Sequence, residues 1–398
     1  MFRFLHFLLA TFFVLGSLTV QAQVDTTSND TRYSSERLPE RKVFLSGYVK
    51  NLSSIAIPSW GGDWTFDNFI HNRLNFKWYA SENITVKVEA RTRFFFGESL
   101  KTNPQYPIQV NASLDYIKLG GEISKGNSYL LNSFIDRAYI DWSKNKWQVI
   151  AGKQRINWGK SYVWNPNDIF NAYSFFDFDY EERRGTDAIL IKYNVGNTST
   201  IEAVSNIESN FDSTTIASKY SFNKSGYDFQ LIAGKYQTDL MTGAGWAGQI
   251  KGAGFKGEVS YFQPYTAKRL NGILVADLSL DYTLPSTLNF RLEGIFNSNP
   301  QRPPNNLFFN QPVTAKQLTF NNYSMFLSGG YDISPLIKFN VSSIWYIDDK
   351  SFFVNPTLTL DLNKNTEFLI AAQLFGGADN SIFGNAGKYV FTRLKWSF

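Results

Sequence analysis

The chain has 398 residues, no cysteine, 17% aromatic and only 18% charged residues, and a formal net charge of +5. Without cysteine there is no disulfide scaffold, cysteine-ligated zinc site, thiol catalysis or lipidated-cysteine anchor, and a charge this small and unclustered is unlike a nucleic-acid binder. A mean hydropathy of -0.25 beside so many rings disperses the apolar residues among polar ones, which excludes a helical membrane bundle and argues against disorder.

Arg3, the apolar run Phe4 to Leu18 and the small-residue site Val20-Gln21-Ala22 read as a secretory signal peptide over residues 1–22. Its apolar run is shorter than the roughly 20 residues a spanning helix needs. Residues 23–41 are polar, mixed in charge and free of strand pattern, so they are expected to be a flexible periplasmic extension.

From residue 42 to 398 the pattern has a period of two. Ile70, Leu74, Phe76 and Trp78 alternate with His71, Arg73, Asn75 and Lys77, and Ile84 to Phe96 set Val86, Val88, Ala90 and Phe94 against Lys87, Glu89, Arg91 and Arg93. Leu274 to Leu280 and Leu288 to Leu292 repeat the pattern, and Val390, Leu394, Trp396 and Phe398 close the chain opposite Tyr389, Arg393, Lys395 and Ser397. A soluble sandwich also alternates, but it buries its apolar faces against each other. Segment after segment with aromatics near its ends is the signature of a transmembrane barrel, with apolar residues to lipid and charges to the lumen.

The links between segments alternate in length. Short ones with turn residues lie at 81–83, 143–145, 195–197, 223–226, 251–254, 284–286, 333–335 and 363–365, and long ones at 98–130, 157–185 and 297–320. The fold expected is therefore all-β: an antiparallel up-and-down barrel of about 18 strands, 16 being the next choice, in the bacterial outer membrane with both termini periplasmic.

Lumen chemistry follows by elimination. After the leader the single remaining histidine is His71, so metal sites of several His or Cys ligands are ruled out, and a Ser–His hydrolase would need His71, which reads better as a polar wall residue. Asp177 to Glu182 could face a hard cation, but Arg183 and Arg184 follow at once, which favours an ion-pair cluster. No metal, cofactor or catalytic residue is expected. Arg73, Lys77, Lys87, Arg91 and Arg93, with Arg393 and Lys395 brought round by closure, form a basic wall that would favour anions. The rings from Phe170 to Tyr180 suggest a loop folded inward as a constriction.

The run Gly152-Lys153-Gln154-Arg155-Ile156-Asn157-Trp158-Gly159, with Trp164-Asn165-Pro166-Asn167-Asp168 and Glu182-Arg183-Arg184-Gly185-Thr186-Asp187, resembles a segment of porin-like outer-membrane barrels common in Bacteroidota. It is also similar to the G-[RK]-Q-x-x-x-W-G element of the DUF1302 and alginate-export-like barrels. The resemblance implies a channel with this loop in its mouth, carried by Gln154, Arg155, Trp158, Asn165, Asp168, Arg183 and Asp187, with Asp177, Asp179 and Arg184 in the same loop. It names no cargo. The function expected is passive passage of small polar or anionic solutes. Two other readings are a non-conducting barrel subunit of a transport or assembly complex with protein partners, and an exporter of lipid or hydrophobic compounds.

Overall fold

The computed structural model describes residues 42–58, 61–111, 116–176, 183, 185–265, 271–303 and 313–398. The expected leader and extension (1–22 and 23–41), Asp177, Asp179 and Arg184 lie outside the described residues. The alternating segments fold as β1 (Val43–Ile57), β2 (Thr65–Ser81), β3 (Ile84–Gly97), β4 (Gly120–Lys125), β5 (Tyr129–Lys144), β6 (Trp147–Gln154), β7 (Thr186–Asn194), β8 (Ser199–Asn206), β9 (Thr215–Lys224) and β10 (Tyr227–Tyr236). They continue as β11 (Asp239–Ile250), β12 (Ala253–Pro264), β13 (Ile273–Thr283), β14 (Asn289–Asn297), β15 (Tyr323–Ser334), β16 (Ile337–Tyr346), β17 (Ser351–Asn363), β18 (Thr366–Gly376) and β19 (Lys388–Ser397).

Every pairing between strands is antiparallel, and β1 pairs with β2 on one edge and β19 on the other. The sheet is thus closed, as an 18-strand barrel once the short β4 is set aside. A two-sheet sandwich is excluded by that closure. Period-two sequence then sorts side chains between two environments: Trp78, Leu394 and Trp396 stand exposed outside, while Arg73 and Arg91 are 1% and 2% exposed inside.

All eight short links are the tight turns of one barrel end, where β1 begins and β19 finishes. The long links carry structure of their own. The first holds two helical turns, Ser99–Thr102 and Tyr106–Asn111, and then β4. β6 stops at Gln154 and pairs β5 only from Ala138 to Lys144, so β4 occupies the free edge of β5 from Leu130 to Phe134.

In β5 a bulge opposite Glu89 and Ala90 turns both Asp136 and Arg137 into the lumen. Two further segments fold inward: Ala315 and Phe320 from the link before β15, and Ile382 and Phe383 from the link before β19, all buried.

Candidate functional site

The largest departure from a hollow barrel begins where β6 leaves the wall. Gly152 has φ +122°, and a Cβ there would lie 2.4 Å from the Ala138 carbonyl oxygen, so only glycine permits this close pairing. Gln154 is the last wall residue, donating to the Ile150 and Ala188 carbonyls at 2.8 and 3.1 Å. The chain then crosses the lumen. Ile156 N–H donates to Asn171 Oδ1 at 2.9 Å, tying the two ends of the loop together.

Two wall carboxylates clamp the loop through its backbone. Glu258 on β12 accepts from Lys160 N–H, from Ser161 N–H at 2.9 Å and from Asn167 N–H at 2.9 Å. Glu293 on β14 accepts from the N–H groups of Tyr162, Val163 and Trp164, at 3.0, 3.0 and 2.6 Å for the shorter contacts. These are charge-assisted bonds in a water-poor interior, the stronger class of hydrogen bond. The Asn167 side-chain amide donates to the Ala244 carbonyl at 2.9 Å and accepts from Ser260 Oγ at 2.8 Å. Gly159 lets the two halves of the loop meet, because a Cβ there would sit 2.2 Å from Asn165 Oδ1.

The loop's apolar side chains complete a core inside the barrel. Ile156, Trp158, Val163, Trp164 and Ile169 pack with inward residues such as Leu190, Ile232, Phe262, Ile295, Phe326 and Phe353. Trp158 is 1% exposed, its indole N–H donates to Glu202 Oε2 at 2.8 Å, and its carbonyl accepts from Gln230 at 2.7 Å. Phe176 extends the packing to Phe353 and Phe383, and Phe383 stacks on Tyr346 with centroids 4.5 Å apart. The loop is thereby packed against the inner face of β7 to β18.

At its far end the loop meets the other side of the lumen, where Arg137 on β5 donates to the Arg183 carbonyl at 2.7 Å. Asp168 is buried, and Arg183 lies 3.4 Å away with its guanidinium over the Tyr173 ring. Burial pushes the Asp168 carboxyl up to about 6, against the pull of Arg183 and Arg155. Burial also lowers Arg155 and Arg183, with the Arg183 charge adding to the effect on Arg155.

Opposite lies a continuous charged wall on β19, β1, β2, β3 and β5. Arg73 faces Arg91, and Lys77 faces Lys87, directly across β2 and β3, and Lys50 faces both His71 and Lys395. Like charges so placed repel, and acids answer them. Asp136 takes Arg73 Nη1 and Arg91 Nε at 2.9 Å each, Glu89 takes Arg73 at 2.5 Å and Arg137 at 3.1 Å, and Glu367 takes Arg393. Arg93 donates to the Val110 carbonyl at 2.7 Å, which draws the helical turn Tyr106–Asn111 into the mouth. Lys77, Lys87 and Lys395 lie over the rings of Tyr79, Tyr139 and Tyr48. His71 is buried edge-on to Tyr48 and beside Phe69.

The loop thus brings together Arg155, Trp158, Asn165, Asp168 and Arg183, with Gln154 at its root. Asp187 is not among them: it lies on β7 next to the inward Ala188, so it points out of the barrel, pairing with Lys153 at 3.3 Å and accepting from Ile117 N–H at 2.8 Å. Alternation decides this, since Thr186 and Ala188 take the inner face. Sequence reasoning missed Lys50, Asp136, Arg137, Glu258 and the clamping role of Glu293. A signal existed for one: Glu258 and Asp277 are acids directly across a strand pair, an arrangement that needs a third partner.

Fold and site together define a closed antiparallel β-barrel with an inward-folded loop between β6 and β7. No protein-family model matches the chain, and no curated protein matches it. Solved structures do. OccK7 (OpdD) of Pseudomonas aeruginosa is similar at a TM-score of 0.55 and 10% identity over 90% of this chain and 99% of that one. OccAB2 of Acinetobacter baumannii is similar at 0.57 and 9%, covering 89% and 98%. The outer membrane protein OprD of Pseudomonas aeruginosa is similar at 0.54 and 11%, covering 89% and 92%. At such identities the likeness is one of fold.

Proposed function

We propose that the chain is a porin-like channel of the bacterial outer membrane, through which small polar or anionic solutes pass between the loop and the charged wall. The observation that carries this reading is the asymmetry of the lumen. The loop packs its apolar side chains against β7 to β18, while the wall opposite presents Lys50, Arg73, Lys77, Lys87, Arg91, Arg93, Arg137, Arg393 and Lys395 against fewer carboxylates, Asp67, Glu89, Asp136, Asp141 and Glu367. A narrow path with an excess of cations on one side focuses anions. At the mouth a cavity of about 510 Å³ lies against this wall, lined by Arg91, Asn111, Lys118, Glu122, Lys125 and Asp136 among others. The outward residues, among them Leu278, Leu280, Leu292, Leu394 and Trp396, supply the surface for hydrocarbon and its interfaces. OprD, an outer membrane protein of the same fold, supports this location.

The apolar packing favours a second reading, a plugged barrel serving as a subunit of a membrane complex. Single-channel recording in planar bilayers separates the two: discrete steps support the channel, and silence from folded protein supports the plug.

A further inference from the structure

Besides the outward Lys153–Asp187 pair near the loop end, polar side chains of the outer face gather on a group of adjoining strands. On β1 and β2 the outward side chains include Asn51, Ser53, Asn68 and Asn72, and Thr92 and Ser133 continue the stripe onto β3 and β5. Asn68 faces Ser53, Asn72 faces Thr92, and Thr92 faces Ser133 across their strand pairs, so the stripe is continuous. It is also flanked on both sides: Ile55, Phe66 and Phe96 lie towards the loop end, and Leu45, Leu74 and Trp78 towards the turn end. The polar groups therefore lie between apolar side chains on both sides.

Hydrocarbon offers these groups nothing to bond. They satisfy one another in part. The Asn51 and Asn68 side-chain amides exchange hydrogen bonds at 2.8 and 3.3 Å, Asn68 also donates to Ser53 Oγ at 2.6 Å, and Thr92 and Ser133 hydroxyls are 3.0 Å apart. Asn72 makes only a 3.5 Å contact to the Tyr48 carbonyl. An amide has two donors and an acceptor oxygen with two lone pairs, so capacity is left over and points away from the barrel. Gly47, Ala90 and Ala138 beside the stripe allow another wall to approach closely.

We propose that this stripe is the contact through which two copies of the chain pair side by side in the membrane. The inference rests on the membrane reading given above. The occupant follows from the chemistry of the stripe. Amides and hydroxyls donate and accept alike and carry no charge, so the patch complements itself across a twofold axis. A partner selected by charge would find no counter-charge there.

The absence of cysteine makes the test direct. Thr92→Cys and, on the far wall, Leu278→Cys are each introduced into the full chain and oxidised with copper phenanthroline in isolated outer membranes. A product of twice the monomer mass is expected from Thr92→Cys and none from Leu278→Cys. Adding Asn51→Leu, Asn68→Leu and Asn72→Leu to Thr92→Cys, changes that suit a lipid face, is expected to reduce the product at least tenfold. Heat-modifiable protein that is found in the membrane but gives no product, a product of another mass, or a product untouched by the three leucines would overturn the pairing and leave the membrane reading intact. Protein absent from the membrane fraction would overturn both.

Discussion

Glu293→Ala removes the acceptor for three consecutive backbone N–H groups, those of Tyr162, Val163 and Trp164. The residue is 0% exposed, so no water stands ready to replace it. Hydrogen bonds to a charged group contribute about 1.5–3 kcal/mol each. Three at the low end sum to roughly 4–5 kcal/mol. Relief from burying the carboxylate offsets part of this, leaving about 3–4 kcal/mol as the loss of loop anchoring. The wall itself is untouched, because β14 is held to its neighbours by main-chain bonds. Local opening of the loop should therefore become about a hundred- to a thousandfold more frequent. Hydrogen–deuterium exchange followed by mass spectrometry on peptides covering residues 156–170 reads this directly, with the strands as internal controls. Accelerated exchange confined to the loop is expected. Exchange equal to wild type would refute the idea that the carboxylate clamps hold the loop in place.

Asp136→Ala leaves Arg73 and Arg91 buried without their shared carboxylate, which should cost about 3–5 kcal/mol and lower the temperature at which the barrel loses its compact mobility on unheated gels. Gly159→Ala overpacks the loop against Asn165 and should destabilise it by about 1–3 kcal/mol, visible as faster loop exchange with wall exchange unchanged. For Asp168 the folded carboxyl is raised to about 6, so between its ordinary range and pH 6 the native state holds the extra proton. Its contribution is then most favourable at low pH and is lost as pH rises through about 6. Protonation also leaves Arg183 and Arg155 uncompensated, so anion selectivity should rise below pH 6 and lose that dependence in Asp168→Asn. A flat reversal potential in wild type across this range would contradict the assignment.

The wall was readable because its physics is local. Ile84 to Phe96 sorts itself between two environments by alternation alone, and turns such as Lys251-Gly252 carry positive φ at both residues, which the sequence signals by its glycine. Features outside regular pairing were not readable. The bulge that turns Asp136 and Arg137 inward together depends on register against β3, and periodicity assigns one of the two to the wrong face. The clamps escaped notice because a carboxylate bonded to backbone N–H groups about a hundred residues away leaves no pattern in side-chain types. The ring-rich stretch after Phe170 did suggest an inward fold, and Phe175 and Phe176 are packed inside. Asp187 was drawn into the loop by its place in a motif, whereas strand pairing with Lys153 decides where it points. Ile382 and Phe383 lie in a link too ordinary in composition to announce that it enters the lumen.

The reversal potential of the wild-type protein in a planar bilayer, measured under a salt gradient, tests the central claim most directly. Discrete conductance steps with a potential displaced towards that of the anion are predicted, and Arg91→Ser with Arg93→Ser should reduce the displacement. Folded, heat-modifiable protein that inserts but carries no current would contradict the account and establish the barrel as closed.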